Sequence, residues 1–194
     1  MNNFLITIFF IVVSLGNYSG WSSSKPSQRH SALPKPVFFP KGQVSDTGII
    51  ILQHYGSIDS TQQLLRMFYG KWIIVDLWAT WCEPCLDEFK FSDSVYSFAT
   101  QMGISMVYIS FDQDDKDSIW MSFISKHHLK GYHLRANSAL KEKIEILTWG
   151  VKDAYSLPHY LLFDNSGKLL SKSLPQPSSG QLFYSAVQAK ITIP

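Results

Sequence analysis

A run of apolar residues at positions 72–78 leads, within a few positions, into the segment WCEPC at residues 81–85. The run is apolar on both alternations except at Asp76, which predicts a strand buried on both faces in the middle of a sheet. Pro84 suits the first turn of a helix, because its missing N–H is not needed there and its φ angle is already helical. The sequence therefore predicts a buried strand that passes directly into a helix, as in an α/β fold.

The two cysteines of this segment, Cys82 and Cys85, are the only ones in 194 residues. The predicted arrangement puts both sulfurs at a helix N-terminus, where the helix dipole and free backbone N–H groups stabilise a thiolate. A pair built in this way can alternate between dithiol and disulfide. We therefore interpret the pair as the redox centre of a thiol–disulfide oxidoreductase.

Two other uses of the cysteine pair stay open from the residues alone. Structural zinc normally takes four cysteine or histidine ligands. The chain has no second cysteine pair, and the adjacent His127 and His128 lack the spacing of a ligand pair. A structural disulfide suits an exported protein, but this one would close a very small loop and constrain the unfolded chain little.

Composition limits the class of partner and the number of domains. Apolar residues make up 45% of the chain and charged residues 16%, which is enough for one sizeable core. The net charge of +2 gives no indication of a nucleic-acid partner. We therefore expect one domain, over residues 44–194, and no nucleic-acid binding.

The N-terminal part of the chain differs in composition from this domain. Residues 4–15 form an almost unbroken apolar run that is shorter than a typical membrane span. It predicts a signal peptide or an uncleaved membrane anchor in residues 1–16, although no Lys or Arg precedes it. A buried N-terminal helix is the other interpretation. Residues 17–43 are rich in Ser, Pro and Lys, which predicts a disordered linker.

Apolar periodicity and turn residues predict alternating strands and helices in the folded part. Strands are expected at residues 48–52, 72–78, 104–111, 129–136, 160–163 and 168–173. Helices are expected at residues 60–69, from the cysteine segment to residue 103, and at residues 116–127, 139–147 and 181–190. This order predicts an α/β sheet with helices on both faces, closed by a hairpin and a last helix.

Several parts of the sequence resemble the thioredoxin superfamily, and more narrowly its exported TlpA/ResA-like thiol–disulfide oxidoreductases. They are residues 78–85 (WATWCEPC), the following Glu88 and Phe89, the pair Leu157 and Pro158 ahead of an apolar strand, and the long segment 112–158. The resemblance covers the chain from about Val44 onwards. It implies a thioredoxin-like α/β fold with a central mixed sheet, a strand–helix insert before a cis-Pro158, and an N-terminal extension.

Two positions depart from the family's pattern. Family members often have a proline two residues after the glutamate, where this chain has Lys90, so the usual kink of the helix is expected to be weaker or absent. Leu157 stands where threonine, valine or isoleucine is more usual. Because the backbone of that residue lines the family's substrate groove, the choice of partner is open.

Three residues are expected to carry the reaction. Cys82 is the expected nucleophile, because it lies at the loop end of the helix and is the more exposed sulfur. Cys85, one turn further in, is expected to be buried and to resolve the mixed disulfide. Asp76 stands where thioredoxins keep a buried Asp. Burial would raise its pKa and suit it to accept the Cys85 proton, and the alternative is an edge-strand Asp that faces solvent.

Three further residues are expected to tune the redox pair. Pro84 keeps the two sulfurs close. Glu83 places a negative charge between them, which opposes a thiolate and disfavours a strongly oxidising pair. Glu88 lies about one turn after Cys85, and the resemblance to ResA-like proteins implies that it tunes the thiols or contacts the partner. The alternative is a solvated charge on the helix surface.

Trp81, Leu157 and Pro158 are expected to line the substrate groove. The resemblance places a cis-Pro158 against the disulfide, where it excludes metals and exposes backbone for strand-like pairing with a substrate. Trp81 and Trp78 are expected to shield the disulfide and to offer apolar docking surface, with core packing as the alternative for both. For His159 the alternatives are a third Cu(I) ligand beside the cysteines and a strand residue that points elsewhere.

The leading hypothesis is an exported enzyme, periplasmic or otherwise extracytoplasmic, that reduces disulfides of partner proteins. Its redox-active disulfide needs no metal or organic cofactor, and an upstream thiol reductant has to restore the dithiol. The family suggests apocytochrome c as a partner. The alternatives are a disulfide oxidant or isomerase, a Cu(I) metallochaperone that uses Cys82, Cys85 and His159, and a redox-inert interaction module.

Overall fold

The structure, a computed structural model, describes residues 43–44 and 47–191. The predicted signal peptide or anchor lies outside these residues, and so does the predicted linker except for Gln43. Gln43 belongs to the first described strand, one residue before the predicted domain boundary.

Seven strands and six helices are described, together with short 3-10 turns. The strands are β1 (Gln43–Val44), β2 (Ile49–Ile51), β3 (Trp72–Trp78), β4 (Ile104–Ser110), β5 (Gly131–Arg135), β6 (His159–Phe163) and β7 (Leu169–Ser171). The helices are α1 (Thr61–Arg66), α2 (Glu83–Phe89), α3 (Ser92–Gln101), α4 (Asp117–Lys126), α5 (Ser138–Trp149) and α6 (Gln181–Gln188). No helix in the described part of the chain combines the length and the apolar composition needed to cross a bilayer.

The strands form one mixed sheet in the order β1-β2-β5-β4-β3-β6-β7. β3 runs parallel to β4 on one side and antiparallel to β6 on the other, and Ile73 to Trp78 are all buried. The predicted central strand is therefore confirmed. Because parallel strands end at the same edge of a sheet, the segments that follow Trp78, Ser110 and Arg135 meet at one edge. The antiparallel β6 begins at that edge, at His159.

Helices cover both faces of the sheet, as predicted. On one face α1 and α5 contribute Leu64 and Ile144 to a buried apolar cluster. On the other face α2, α3, α4 and α6 enclose a second cluster, which also contains Cys82 and Cys85. Side chains of β3 alternate between the two clusters because successive side chains of a strand point to opposite faces.

The insert expected between β4 and β6 consists of α4, β5 and α5. β5 joins the same sheet, between β2 and β4, so the insert widens the sheet instead of forming a separate layer. Arg135 at the end of β5 places Nη2 2.8 Å from Asp117 Oδ1 at the start of α4. This ion pair connects the two parts of the insert next to the edge where the cysteine segment begins.

The helix predicted from the cysteine segment to residue 103 is wrong in one respect, since it is divided into α2 and α3. Lys90 and Phe91 form the break, where Phe91 N–H donates to Glu88 O at 3.0 Å in a tighter turn. Phe91 in this break is 38% exposed. Phe89 and Val95 are both buried, although in a continuous helix they would point about 120° apart. The break lets both side chains face the sheet without a proline.

Candidate functional site

Cys82 and Cys85 form a disulfide at the N-terminal end of α2. Their sulfur atoms are 2.02 Å apart and their Cα atoms 5.3 Å apart. Cys82 is the N-cap residue of α2, and its Sγ accepts a hydrogen bond from Cys85 N–H at 3.3 Å. Both sulfurs therefore lie at the helix tip, as the sequence predicts.

The two cysteines differ little in exposure. Cys82 is 4% exposed and Cys85 is fully buried, so the order of exposure is as predicted, but Cys82 is much less accessible than expected. Glu83 and Pro84 form the exposed first turn of α2 between them. Of the two cysteines, Cys82 is therefore the one that retains any surface for contact with a partner sulfur.

Asp76 faces the same side of the sheet as the disulfide and is 2% exposed. It lies between Tyr108 of β4 and Tyr160 of β6 in the sheet register. Burial raises the pKa of Asp76 to about 8; a hydrogen bond with Tyr160 lowers this pKa in part, and the charge of Glu88 raises it. The alternative of a solvent-facing Asp on an edge strand is wrong, because β3 is a central strand.

Burial also raises the pKa values of the two flanking tyrosines, and the charge of Asp76 adds to the effect in both. Tyr108 and Tyr160 therefore stay protonated beside Asp76. Asp76 Oδ1 has no hydrogen-bond partner among the described residues. The carboxyl group thus has neutral tyrosines on both sides and the negative charge of Glu88 nearby, a buried environment that favours its protonated form in the resting protein.

A small cavity lies between Asp76 and helix α2. It has about 10 Å³ of space for a water molecule, and Glu88, Phe89 and Tyr160 are among its lining residues. That volume is at the lower limit for one water. The cavity brings the carboxyl groups of Asp76 and Glu88 together beneath the helix that carries Cys85.

Glu88 is not a solvated surface charge, so that alternative is wrong. It is 6% exposed, and its Oε2 accepts a hydrogen bond from Ser178 N–H at 2.8 Å. Ser178 belongs to a 3-10 turn, Pro177–Ser179, that closes over this face of α2. Glu88 therefore lines the Asp76 cavity and is not available as a surface contact for a partner.

An aromatic groove opens beside the cysteine segment. Trp81 is 58% exposed, and its ring centroid lies 6.4 Å from that of Tyr155. The groove has a volume of about 480 Å³, and its lining includes Thr80, Phe111 and Lys141 as well as these two rings. Trp81 is therefore exposed at the rim of this groove.

The Leu157–Pro158 peptide bond is cis, as the resemblance implies. Pro158 is buried directly before β6, and Leu157 is half-buried against both apolar clusters. Neither residue is among the described residues that line the Trp81 groove. The three residues predicted for the substrate groove therefore lie at the same edge of the sheet, but only Trp81 lines this groove.

Two of the weighed roles do not fit the structure. Trp78 is fully buried and packs edge-on against Phe89, with ring centroids 5.2 Å apart, so it offers no docking surface. His159 packs against Trp149 at 4.8 Å and places Nε2 2.6 Å from Lys172 O, so it points away from the cysteines. Within the described residues, no group of three or more His, Cys, Asp or Glu side chains is arranged to hold a metal ion.

Asp112 is a buried carboxylate that the sequence analysis did not single out. It is 4% exposed and accepts hydrogen bonds from Thr80 and Ser110. In the sequence it begins an acidic run, 112–115, that predicts only a polar turn. The one signal was its place directly after an apolar strand, at the edge where the parallel strands end.

Comparison with known families decides the identity of the fold. A family model described as thioredoxin-like matches residues 70–169, which is more than half of the chain. The chain belongs to the thioredoxin-like family. The matched part of this thioredoxin-like chain contains the disulfide, Asp76 and the cis-Pro158, and the predicted thioredoxin-like fold is confirmed.

The thioredoxin-like chain is similar to curated proteins that are named for thiol–disulfide exchange. The thiol–disulfide oxidoreductase ResA of Bacillus thuringiensis subsp. konkukian (strain 97-27) is 28% identical over 119 residues, which are 61% of this chain and 63% of ResA. A thiol:disulfide interchange protein DsbE homolog of Paracoccus denitrificans (strain Pd 1222) is 26% identical over 117 residues, 60% of this chain and 57% of the homolog. The chain thus spans less than two thirds of the length of these relatives.

A solved structure shows the same similarity. The solution structure of a Bacteroides vulgatus protein, named for thiol–disulfide oxidoreductase activity, is 27% identical to this thioredoxin-like chain and superimposes with a TM-score of 0.50. The match covers 64% of this chain and 79% of that protein. The predicted TlpA/ResA-like relationship is therefore confirmed at the level of similar proteins.

Proposed function

We propose that this thioredoxin-like protein is a thiol–disulfide oxidoreductase that reduces disulfides of partner proteins. The observation that carries the proposal is the Cys82–Cys85 disulfide at the tip of α2, beside a groove with an exposed aromatic rim. The names of the ResA and DsbE relatives support the same chemistry. A structural disulfide would need neither an open edge nor a groove beside it.

The proposed reaction begins with the reduced pair. The Cys82 thiolate attacks one sulfur of a partner disulfide, so a Cys82–partner bond forms, the partner's S–S bond breaks, and the first partner thiolate leaves and takes up a proton. The Cys85 thiolate then attacks Cys82 Sγ, which restores the Cys82–Cys85 bond and releases the second partner thiol. The partner gains two electrons and two protons, and an upstream dithiol has to supply them again.

The second step needs a base, because burial favours the neutral Cys85 thiol. We assign this role to Asp76, whose raised pKa of about 8 lies close to that of a thiol. It lies on the sheet face that α2 covers, and the shared cavity with Glu88 supports a route by which the proton can leave. Glu88 raises the proton affinity of Asp76 through its negative charge.

Serine substitutions test the two cysteine roles. Cys82→Ser is expected to lower insulin disulfide reduction to background, because no nucleophile remains. Cys85→Ser is expected to retain attack but to accumulate mixed disulfides with partners, since the resolving thiol is lost. Mass spectrometry of the trapped complexes identifies the partners. Trapping by Cys82→Ser in place of Cys85→Ser would reverse the assigned roles.

The direction of electron flow is a separate measurement. A reduction potential of about −270 mV is expected of a reductant, whereas a value of about −120 mV is that of a strong disulfide oxidant. Glu83 and Glu88 place negative charge around the pair, which favours the more negative value. A potential at the oxidising end would replace the proposed reductase by the oxidant or isomerase.

We further propose that the protein acts outside the cytoplasm on protein thiols, with apocytochrome c as one partner. The apolar run at residues 4–15 supports export, and the ResA-like resemblance supports the partner class. Recovery of a c-type apocytochrome among the complexes trapped by Cys85→Ser is the expected result. Signal-dependent export of a reporter fused to residues 1–43 tests the location independently.

A further inference from the structure

Asp112 is held rigidly at the end of β4. Ser110 Oγ donates to Asp112 Oδ2 at 2.6 Å and accepts from Asp112 N–H at 3.0 Å. Ser110 is itself fully buried and pairs with Trp78 of β3 and Arg135 of β5. The carboxylate is therefore fixed to the three parallel strands that end at the edge of the sheet where the cysteines lie.

The same carboxylate holds the loop that leads to the nucleophile. Thr80 N–H donates to its two oxygens at 3.2 and 3.0 Å, and Thr80 Oγ1 donates to Oδ1 at 2.7 Å. Thr80 lies inside a turn that closes when Cys82 N–H donates to Ala79 O at 3.1 Å. Asp112 thus fixes the turn whose last residue is Cys82.

The carboxylate also places negative charge near the tip of α2. All described hydrogen-bond donors to this carboxylate are neutral, since they are hydroxyl and backbone N–H groups, and none of the ion pairs among the described residues includes Asp112. A buried charge is screened less than an exposed one. Lys116 and Lys141 line the same groove as Asp112 and oppose part of its field, but neither forms an ion pair with it among the described residues. A negative charge close to Cys82 disfavours its thiolate and therefore disfavours the reduced pair.

We propose that Asp112 is a positioning residue that fixes the loop before Cys82 and makes the Cys82–Cys85 pair more reducing. The inference rests on the proposed redox function of the pair. Its two parts are separable, because asparagine keeps an acceptor oxygen for Thr80 and loses the charge, whereas alanine loses both. The matched control is Asp115→Asn, which removes the same formal charge from a side chain that is 70% exposed and paired with Lys116.

The test measures the redox equilibrium of the full protein with glutathione. Asp112→Asn is expected to shift the equilibrium about fivefold toward the reduced protein, which is about 20 mV for a two-electron couple. The ultraviolet absorbance of the thiolate should appear at lower pH. Asp115→Asn should match the wild type in both readouts. An unchanged equilibrium in Asp112→Asn, or an equal shift in Asp115→Asn, overturns the electrostatic part.

The positioning part is tested by the rate of mixed-disulfide formation with insulin. Asp112→Ala is expected to slow this step about tenfold while its equilibrium shifts as in Asp112→Asn, and Asp112→Asn should retain most of the rate. Thr80→Val, which keeps the charge, should also slow the step, and it serves if Asp112→Ala does not fold. Wild-type rates in Asp112→Ala and Thr80→Val overturn the positioning role.

The two levels of the hypothesis fail in different ways. Wild-type protein that does not reduce insulin, but whose glutathione equilibrium still shifts in Asp112→Asn, refutes the proposed reductase and leaves the effect of Asp112 on the pair intact. Wild-type protein that reduces insulin, with no shift in Asp112→Asn, retains the reductase and refutes the inference.

Discussion

Asp76 is a buried carboxylic acid that holds a proton more tightly than an exposed one. We assign it to accept the proton that Cys85 loses. Its pKa is raised to about 8 because it is buried, so it is mostly protonated at neutral pH. We expect Asp76→Asn to slow resolution of the mixed disulfide by roughly a hundredfold, the lower end of the effect of losing a general base. The rate of resolution in the wild type should rise as the pH passes through about 8, and this rise should be absent in the variant. Stopped-flow fluorescence of a preformed mixed disulfide measures the step.

The attack of Cys82 provides the internal comparison for this prediction. It needs no proton transfer to Asp76, so the attack rate should change little in Asp76→Asn. Asp87→Asn, on the exposed side of α2, is the matched control and should behave as the wild type in both steps. Equal slowing of attack and resolution would remove Asp76 from the proton transfer.

The sequence indicates the burial and the role of some acidic residues more clearly than those of others. Asp76 stands out because a lone charge in a run buried on both faces requires a reason. The sequence does not show that Asp112 is buried and Asp115 exposed. Both are acidic residues directly after a strand, and only the path of the backbone turns one of them inward. Glu88 was ambiguous for a related reason, since its burial depends on the distant turn Pro177–Ser179.

The break between α2 and α3 results from how these two helices pack on the sheet. The sequence predicts one helix because apolar spacing continues across residues 89–102, and periodicity alone does not show that Phe89 has to pack on Trp78 while Val95 packs further along the sheet. Lys90 has φ −61° and ψ −19°, a backbone conformation that proline can adopt. The family's kink is thus produced here by packing and not by a proline.

Lys90→Pro tests this explanation of the break. The substitution loses a long hydrogen bond, from Lys90 N–H to Asp87 O at 3.4 Å, and an exposed ion pair between Lys90 Nζ and Asp87 Oδ1. An exposed ion pair contributes little to stability, and proline restricts the unfolded chain. We expect the free energy of unfolding, measured in urea, to change by less than about 1 kcal/mol. Ser97→Pro, in the interior of α3, should cost about 3 kcal/mol or more. A comparable loss in both variants would show that α2 and α3 behave as one helix in solution.

The stability of the whole molecule should depend on pH through two buried groups with opposite effects. Burial lowers the pKa of His133 from 6.5 to about 4, so the unfolded chain binds a proton that the folded one does not, and stability falls as the pH drops from about 6.5 to about 4. The pKa of Asp76 is raised from 3.8 to about 8, so the folded chain keeps a proton that the unfolded one loses, and stability falls as the pH rises from about 4 to about 8.

These signs predict an asymmetric profile. Between pH 4 and 6.5 the two effects oppose each other, whereas between pH 6.5 and 8 only Asp76 acts, and stability should fall by up to roughly 1.4 kcal/mol per pH unit. Urea unfolding of the oxidised protein at a series of pH values measures this. Asp76→Asn should remove the fall above pH 6.5 and be more stable than the wild type at pH 8. Parallel profiles of the two proteins between pH 6.5 and 8 would contradict the assigned pKa of Asp76.

One of the two neighbours of strand β3 comes late in the sequence, because the antiparallel strand β6 follows the whole insert. A chain that has folded only as far as Leu157 therefore carries both sulfurs without Pro158 and without one side of the central strand. Until β6 joins the sheet, the cysteine pair lacks part of the packing that covers it in the folded protein. A small oxidant that meets the exported chain at this stage can form the first disulfide without the partner specificity of the folded protein.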